Sequence, residues 1–208
     1  MAPILQKTAN QPLRFVAGVD EAGRGSWAGP VVAAAVIWPA DKPNLEINDS
    51  KQLTSVKREQ LFLVVMETAQ AVGVGQASVE EIDEVGVGRA THMAMQRAVN
   101  NLKIKPELIL VDGYKVNFSE VESQGVIGGD GIYLAIAAAS IVAKVSRDRM
   151  MVELGDKYPM FEFGVHKGYG TALHQEKLRI HGVSLVHRKS FAPIREQIAK
   201  KANEITLA

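Results

Sequence analysis

Residues 14–36 read RFVAGVDEAGRGSWAGPVVAAAV, two apolar runs that meet at a glycine-rich bend. Phe15, Val16 and Val19 on one side, and residues 31–36 on the other, are β-branched, aromatic or small, as two neighbouring buried strands require. Asp20 and Glu21 stand where the first run ends. Gly23, Gly25 and Gly29 then let the backbone turn sharply and come close to a ligand, and Arg24 sits among them. A carboxylate pair at a strand end, beside such a turn with one arginine, points to a metal site next to a place where main-chain N–H groups meet phosphate or sugar. Two other readings fit the stretch taken alone. A dinucleotide fingerprint needs G-x-G-x-x-G followed by a helix, whereas the spacing here differs and a strand follows. A plain hairpin with solvated Asp20 and Glu21 is the other.

The chain has 208 residues, enough for one domain with a sizeable core. Its 47% hydrophobic and 23% charged content is that of an ordinary globular protein. There is no cysteine, which excludes disulfides, thiolate nucleophiles and cysteine metal sites and suits a reducing, cytoplasmic setting. The first thirteen residues lack a basic start followed by an apolar core, and the uncharged run 132–143 is too short to span a bilayer. No membrane role is expected. Net charge is +1, yet residues 166–201 hold eight basic side chains against two acidic ones, with four of the five histidines. Such a basic tail facing an acidic site would hold a phosphate backbone despite the neutral total; a solvated basic face is the plainer reading.

Outward from the opening stretch, residues 1–13 read as a loosely packed start, 14–160 as a catalytic core and 161–208 as a C-terminal helical segment of the same unit. Beyond a proline break at 39–43, Ser50 and Lys51 lie in a polar loop able to grip phosphate. Ser55 is expected to cap a helix over 55–71, with Leu61, Val64, Val65 and Thr68 on one face. A third strand is expected over 72–77. Ser78 and Glu81 have the spacing of a capping box, and Glu80, Glu81, Asp83 and Glu84 read as a solvated face. A helix over 88–102 carries Met93, Met95, Ala98 and Val99, with the methionines as core filling.

Residues 108–111 form a continuous apolar run ending in Asp112, as a buried parallel strand does, and α/β folds place ligands at such strand ends. A short strand over 125–128 precedes Asp130, which stands before a long helix over 132–154; an N-cap role would also account for it. Leu134, Ala138, Ile141, Val145 and Val152 form the expected core stripe. Asp148, Glu153 and Asp156 are assigned to ion pairs with Arg147, Arg149 or Lys157. Asp20, Glu21, Asp112 and Asp130 then make one constellation. Held by carboxylates, two divalent ions roughly 4 Å apart can activate a water and stabilise the leaving oxygen of a phosphodiester. Hard oxygen donors favour Mg²⁺ or Mn²⁺. Neighbours on a strand face opposite ways, so Asp20 and Glu21 can share a site only if the strand ends or bulges there.

The run GVDEAGRGSWAGPVVAAAV, with NDSKQL at 48–53, ILVDG at 109–113, and GGD, AAASIVAKVSRD and HKGYGT between 128 and 171, resembles type 2 ribonuclease H, the bacterial ribonuclease HII. These segments reach from about residue 14 to Phe191, in the family's order. The resemblance implies a ribonuclease H-like α/β fold, a mixed central sheet flanked by helices, whose C-terminal helical part from about Phe161 closes over the substrate. It implies cleavage 5′ to a ribonucleotide in an RNA/DNA hybrid or in duplex DNA, leaving a 3′-hydroxyl and a 5′-phosphate. Recognition of the 2′-hydroxyl falls on Gly23, Arg24 and Gly25, sugar packing on Tyr169, and a substrate-side position on Ser50 and Lys51. A DNA nuclease of the same fold and a binding module with a degenerate site are the alternatives. Three departures stand out: Gly128 where the family often has lysine, and Ser26 and Trp27 in place of proline and leucine. Residues 192–208 lack the aromatic pair of a clamp-binding peptide, so no such tether is expected; nothing demands more than a monomer.

Overall fold

The computed structural model describes residues 6–8, 11–42 and 53–206. Two short strands, β1 (Gln6–Thr8) and β2 (Gln11–Pro12), pair antiparallel where a loose start was expected. The central sheet is built from β3 (Val16–Ala22), β4 (Val31–Ile37), β5 (Ala71–Ala77), β6 (Leu108–Asp112) and β7 (Ser123–Val126). Their order is β5-β4-β3-β6-β7. The first hairpin and β5 are antiparallel, while β6 and β7 run parallel to β3, so the sheet is mixed.

Helices cover both faces. They are α1 (Ser55–Thr68), α2 (Val79–Val85), α3 (Val87–Asn100), α4 (Leu134–Lys157), α5 (Phe163–His166), α6 (Ala172–His181) and α7 (Ala192–Thr206). Every residue of β4 is buried because α3 and α4 sandwich it. Val31, Ala33, Ala35 and Ile37 meet Ala90, Ala94, Met95 and Ala98 of α3, whereas Ala34 and Val36 meet Ala138, Ala139, Val142 and Ala143 of α4. Small residues let α4 press on the sheet: a Cβ on Gly18 would stand 2.1 Å from the carbonyl carbon of Ala135.

The local signals carry through with small shifts. Ser78 and Glu81 form the capping box, but Thr54 rather than Ser55 caps α1. Leu61 and Val65 are buried on α1 while Val64 is exposed. On α4 the stripe holds from Ala138 to Val145; further on, Met151 is buried and Val152 exposed, since 3.6-residue periodicity drifts off a repeat of seven. Asp130 does not cap this helix, whose N-cap is Tyr133.

The C-terminal segment is packed onto the core. Phe161, Phe163, Leu178 and Ile194 join Met151 of α4 and Ala28 of the glycine-rich bend in one cluster, with Trp27 against it. Asp83 is no solvated side chain: its carboxylate accepts from the main-chain N–H groups of Lys189 and Ser190 and from the Ser190 hydroxyl at 2.6–2.9 Å. Glu81 completes its cap and holds Arg97 at 2.6 Å.

Candidate active site

Asp20 and Asp112 end neighbouring parallel strands. Side chains alternate along each, so Asp20 falls on the face of Gly18, and Asp112 on the face of Leu108 and Leu110, both toward α4. The β3–β6 ladder stops at Val19–Val111, while β3 stays paired with β4 as far as Ala22. No bulge is needed. Asp20 and Glu21 lie past the end of one ladder, at an open edge where both side chains border one cavity of about 480 Å³.

That cavity is also lined by Gly23, Arg24, Gly25, Asp112 and Tyr169, so seven of the expected site residues come together. Asp130 is not in the lining; it sits in a single 3-10 turn, Gly129–Gly131, which is tethered to the site through the Gly129 N–H, a 2.8 Å donor to Asp112 Oδ1. Ser50 and Lys51 lie outside the described residues. Arg58, Ser140 and Lys144 line the cavity too. Ser140 and Lys144 are four residues apart on α4, a spacing that puts both on one face; Arg58 had no signal in the sequence.

The basic tail does not supply the cations here; Arg24, Arg58 and Lys144 do. Arg179, Lys200 and Lys201 border a separate cavity of about 750 Å³ between α6 and α7. Lys177 pairs with Glu162, and Arg188 is fully buried. Three of the tail's histidines, His166, His174 and His187, are buried as a connected stack. Their charge is suppressed: burial first, then mutual repulsion, lowers His174 to about 4 and His187 to about 3. The ion pairing on α4 differs as well. Asp148 pairs with Lys144 at 2.7 Å and Arg149 with Glu59 at 2.6 Å, leaving Arg147 buried beneath the bend.

Electrostatics set Asp20 apart. Burial, then the Glu21 charge and more weakly that of Asp112, push its carboxyl up to about 8, although Glu21 N–H donates to it at 2.7 Å. Among the described residues, no three carboxylate or imidazole groups converge as a ready metal cage. The donor chemistry nonetheless fits a divalent cation. Asp20, Glu21 and Asp112 offer hard oxygens at one cavity, and a cation bound there would favour the ionised form of Asp20 that burial, and then the Glu21 charge, disfavour.

The family model for ribonuclease HII matches residues 17–194. The chain belongs to the ribonuclease HII family. It is 52% identical over 181 residues to a ribonuclease HII of Shewanella amazonensis, covering 87% of this chain and 88% of that one. Among solved structures it resembles the ribonuclease H2 from Pyrococcus horikoshii, with a TM-score of 0.76, 30% identity and coverage of 89% and 98% of the two chains. The ribonuclease HII of Archaeoglobus fulgidus, solved in complex with PCNA, matches with a TM-score of 0.71, 28% identity and coverage of 84% and 93%. The fold is therefore ribonuclease H-like, and the protein is a type 2 ribonuclease H, an endonuclease by family. No helix among the described residues is long and apolar enough to cross a membrane.

Two of the departures have a local setting, and nothing in the structure explains Ser26. Gly128 has φ 66°, in a left-handed turn that glycine adopts without steric cost. Trp27 packs its ring against His174 at 5.6 Å, and its main chain links Gly168 and Arg188. Ser26 is fully buried with an unpartnered hydroxyl.

Proposed function

We propose that this enzyme hydrolyses the phosphodiester on the 5′ side of a ribonucleotide, in an RNA/DNA hybrid or embedded in duplex DNA, and leaves a 3′-hydroxyl and a 5′-phosphate. The observation that carries this reading is the meeting, in one cavity, of the Asp20–Asp112 strand ends with the Gly23–Arg24–Gly25 turn and Tyr169. The carboxylates provide the reactive end, and the turn and the ring provide the sugar-reading end. A 2′-hydroxyl both donates and accepts, so a main-chain turn suits it, and it is the group that separates ribose from deoxyribose.

Asp20, Glu21, Asp112 and Asp130 would hold two Mg²⁺ or Mn²⁺ ions. When bound, such ions would lower the pKa of water and stabilise charge on the leaving oxygen. The chain's own contribution is to hold these oxygens in place. Gly129 N–H fixes Asp112, and Glu21 N–H fixes Asp20. Arg24, 59% exposed at its side chain, is placed to meet a phosphate, and Lys144 Nζ and the Tyr169 ring centre are 5.5 Å apart. Ser50 and Lys51 complete the proposed substrate contacts. The enzyme is read as acting as a monomer, and residues 192–208 carry no aromatic pair for a clamp.

The test is cleavage of a duplex with one ribonucleotide beside an all-DNA duplex, with Mg²⁺, Mn²⁺ or chelator. Metal-dependent nicking 5′ to the ribonucleotide alone is the expected result. Equal cutting of both duplexes would identify a DNA nuclease of this fold, and binding without cutting under any metal would identify a binding module.

A further inference from the structure

Arg147, on α4 beneath the glycine-rich bend, is with Arg188 the largest of the fully buried side chains among the described residues. Its hydrogen bonds end on main-chain carbonyls from two distant parts of the chain. Nε donates to Pro30 O at 2.9 Å and Nη2 to Ala28 O at 3.1 Å, both in the bend. Nη1 donates to Lys167 O at 2.9 Å, two residues before Tyr169. The guanidinium carbon lies 5.5 Å from the centre of the Tyr169 ring, at cation–π distance. Gly23 rests directly on the same group: a Cβ there would fall 1.8 Å from Nε, and its φ of 88° suits glycine alone.

A second fully buried guanidinium follows the pattern in part, its Nη2 finding no partner among the described residues. Arg188 Nε donates to Gly29 O at 2.9 Å and Nη1 to Arg24 O at 3.0 Å. Between them the two side chains draw the carbonyls of residues 24, 28, 29 and 30 inward. Main-chain bonds close the frame: Trp27 N–H donates to Gly168 O, and Arg188 N–H to Trp27 O, each at 2.8 Å. Burying a guanidinium is costly, and a cation kept there has to be matched by the bonds it makes.

We propose that Arg147 is a positioning residue for sugar discrimination: it locks the Gly23–Arg24–Gly25 turn and the Tyr169 ring into one rigid reader, with Arg188 as the second clamp. The inference rests on the reading of that turn and ring as the ribose-sensing end. The planar fork is essential, because one ammonium cannot reach Ala28, Pro30 and Lys167 together. Loss of the fork leaves both halves of the reader present but free to shift relative to each other, and a shift well under 1 Å degrades a site of this kind.

The experiment measures affinity, by fluorescence anisotropy with Mg²⁺ present, of an uncleaving Asp112→Asn protein for a duplex with one ribonucleotide and for the all-DNA duplex. The ratio of the two affinities is compared with that of the Asp112→Asn/Arg147→Lys protein. The expected result is a tenfold or greater fall in the ratio, with all-DNA affinity changed less than twofold. A ratio that persists while only the melting temperature drops would overturn the inference and leave Arg147 a purely structural residue. Should Arg147→Lys fail to fold, Arg188→Lys carries the same test, with a fall of at least threefold expected and an unchanged ratio overturning the clamp. If Asp112→Asn itself shows no preference for the ribonucleotide, the ribose-sensing reading fails and the inference falls with it.

Discussion

Asp112 Oδ1 accepts the Gly129 N–H at 2.8 Å, tying the end of β6 to the turn that bears Asp130. The two carboxylates are 18 positions apart in sequence, and this bond brings their segments together. Asp112→Asn keeps an oxygen that can accept the same bond, so folding is preserved while charge is lost. Cleavage is expected to fall by about 10²–10³-fold or more, with a melting temperature close to that of the parent. A duplex-nicking assay beside thermal unfolding checks both halves.

Asp20 opposes folding as its proton is lost. Its folded value of about 8 lies above the unfolded value of 3.8, so between those limits the folded state binds the extra proton and stability falls as pH rises. Asp20→Asn is therefore expected to raise the melting temperature at pH 8, where the parent carries the charge, and to change it little at pH 4. In parent protein, Mg²⁺ binding at pH 7 should release a proton, seen as buffer-dependent heat in titration calorimetry. An absence of buffer dependence would contradict the buried, protonated Asp20.

The histidine stack acts in the opposite direction. His174 and His187, with folded values of about 4 and about 3, lie below the unfolded 6.5. Stability is fully present above pH 6.5 and is lost as pH falls toward those values, because the unfolded chain takes up the protons first. With these two groups, and His166 lowered beside them, the slope exceeds the one-proton slope from Asp20. Denaturant unfolding at pH 5 and pH 6 should show it, and His187→Asn should lessen it.

Asp83 anchors the segment after α6 through three hydrogen bonds to Lys189 and Ser190. Asp83→Ala leaves those donors without this acceptor and is expected to cost about 1–3 kcal/mol in urea unfolding. Asp83→Asn, which retains an acceptor, should recover part of the loss.

Gly18 is a packing requirement. An added methyl would stand 2.2 Å from the Ile136 nitrogen, inside the α4 backbone, where no side chain can swing aside. Gly18→Ala is expected to destabilise by about 3 kcal/mol or more, read as reduced soluble yield and a lowered melting temperature.

Much of this protein was legible from its residues. Phe15, Val16 and Val19 and the apolar runs at 31–36 and 108–111 announced buried strands, and Ser78 with Glu81 announced a helix start, because these depend on local periodicity and capping. The glycines and carboxylates of 20–25 marked the cavity before its walls were known. Asp130 joined that constellation in sequence but not in the cavity lining, since a 3-10 turn and the α4 entry set where its segment points.

Long-range pairing was not legible. Arg147 was read as an ion-pair partner on its helix and Arg188 as one charge of the basic tail, yet both are buried under a bend more than a hundred residues earlier in the chain. His166, His174 and His187 likewise looked available and are sealed inside. The five central strands, the helices before residue 158 and the chemistry of the carboxylate pair could be read from the residues alone, because periodicity and side-chain type act over a few residues. Which cations face the carboxylates and which support the turn from behind was fixed by tertiary packing. That choice depends on burial, where a charge survives only if the fold brings enough oxygen atoms to meet it.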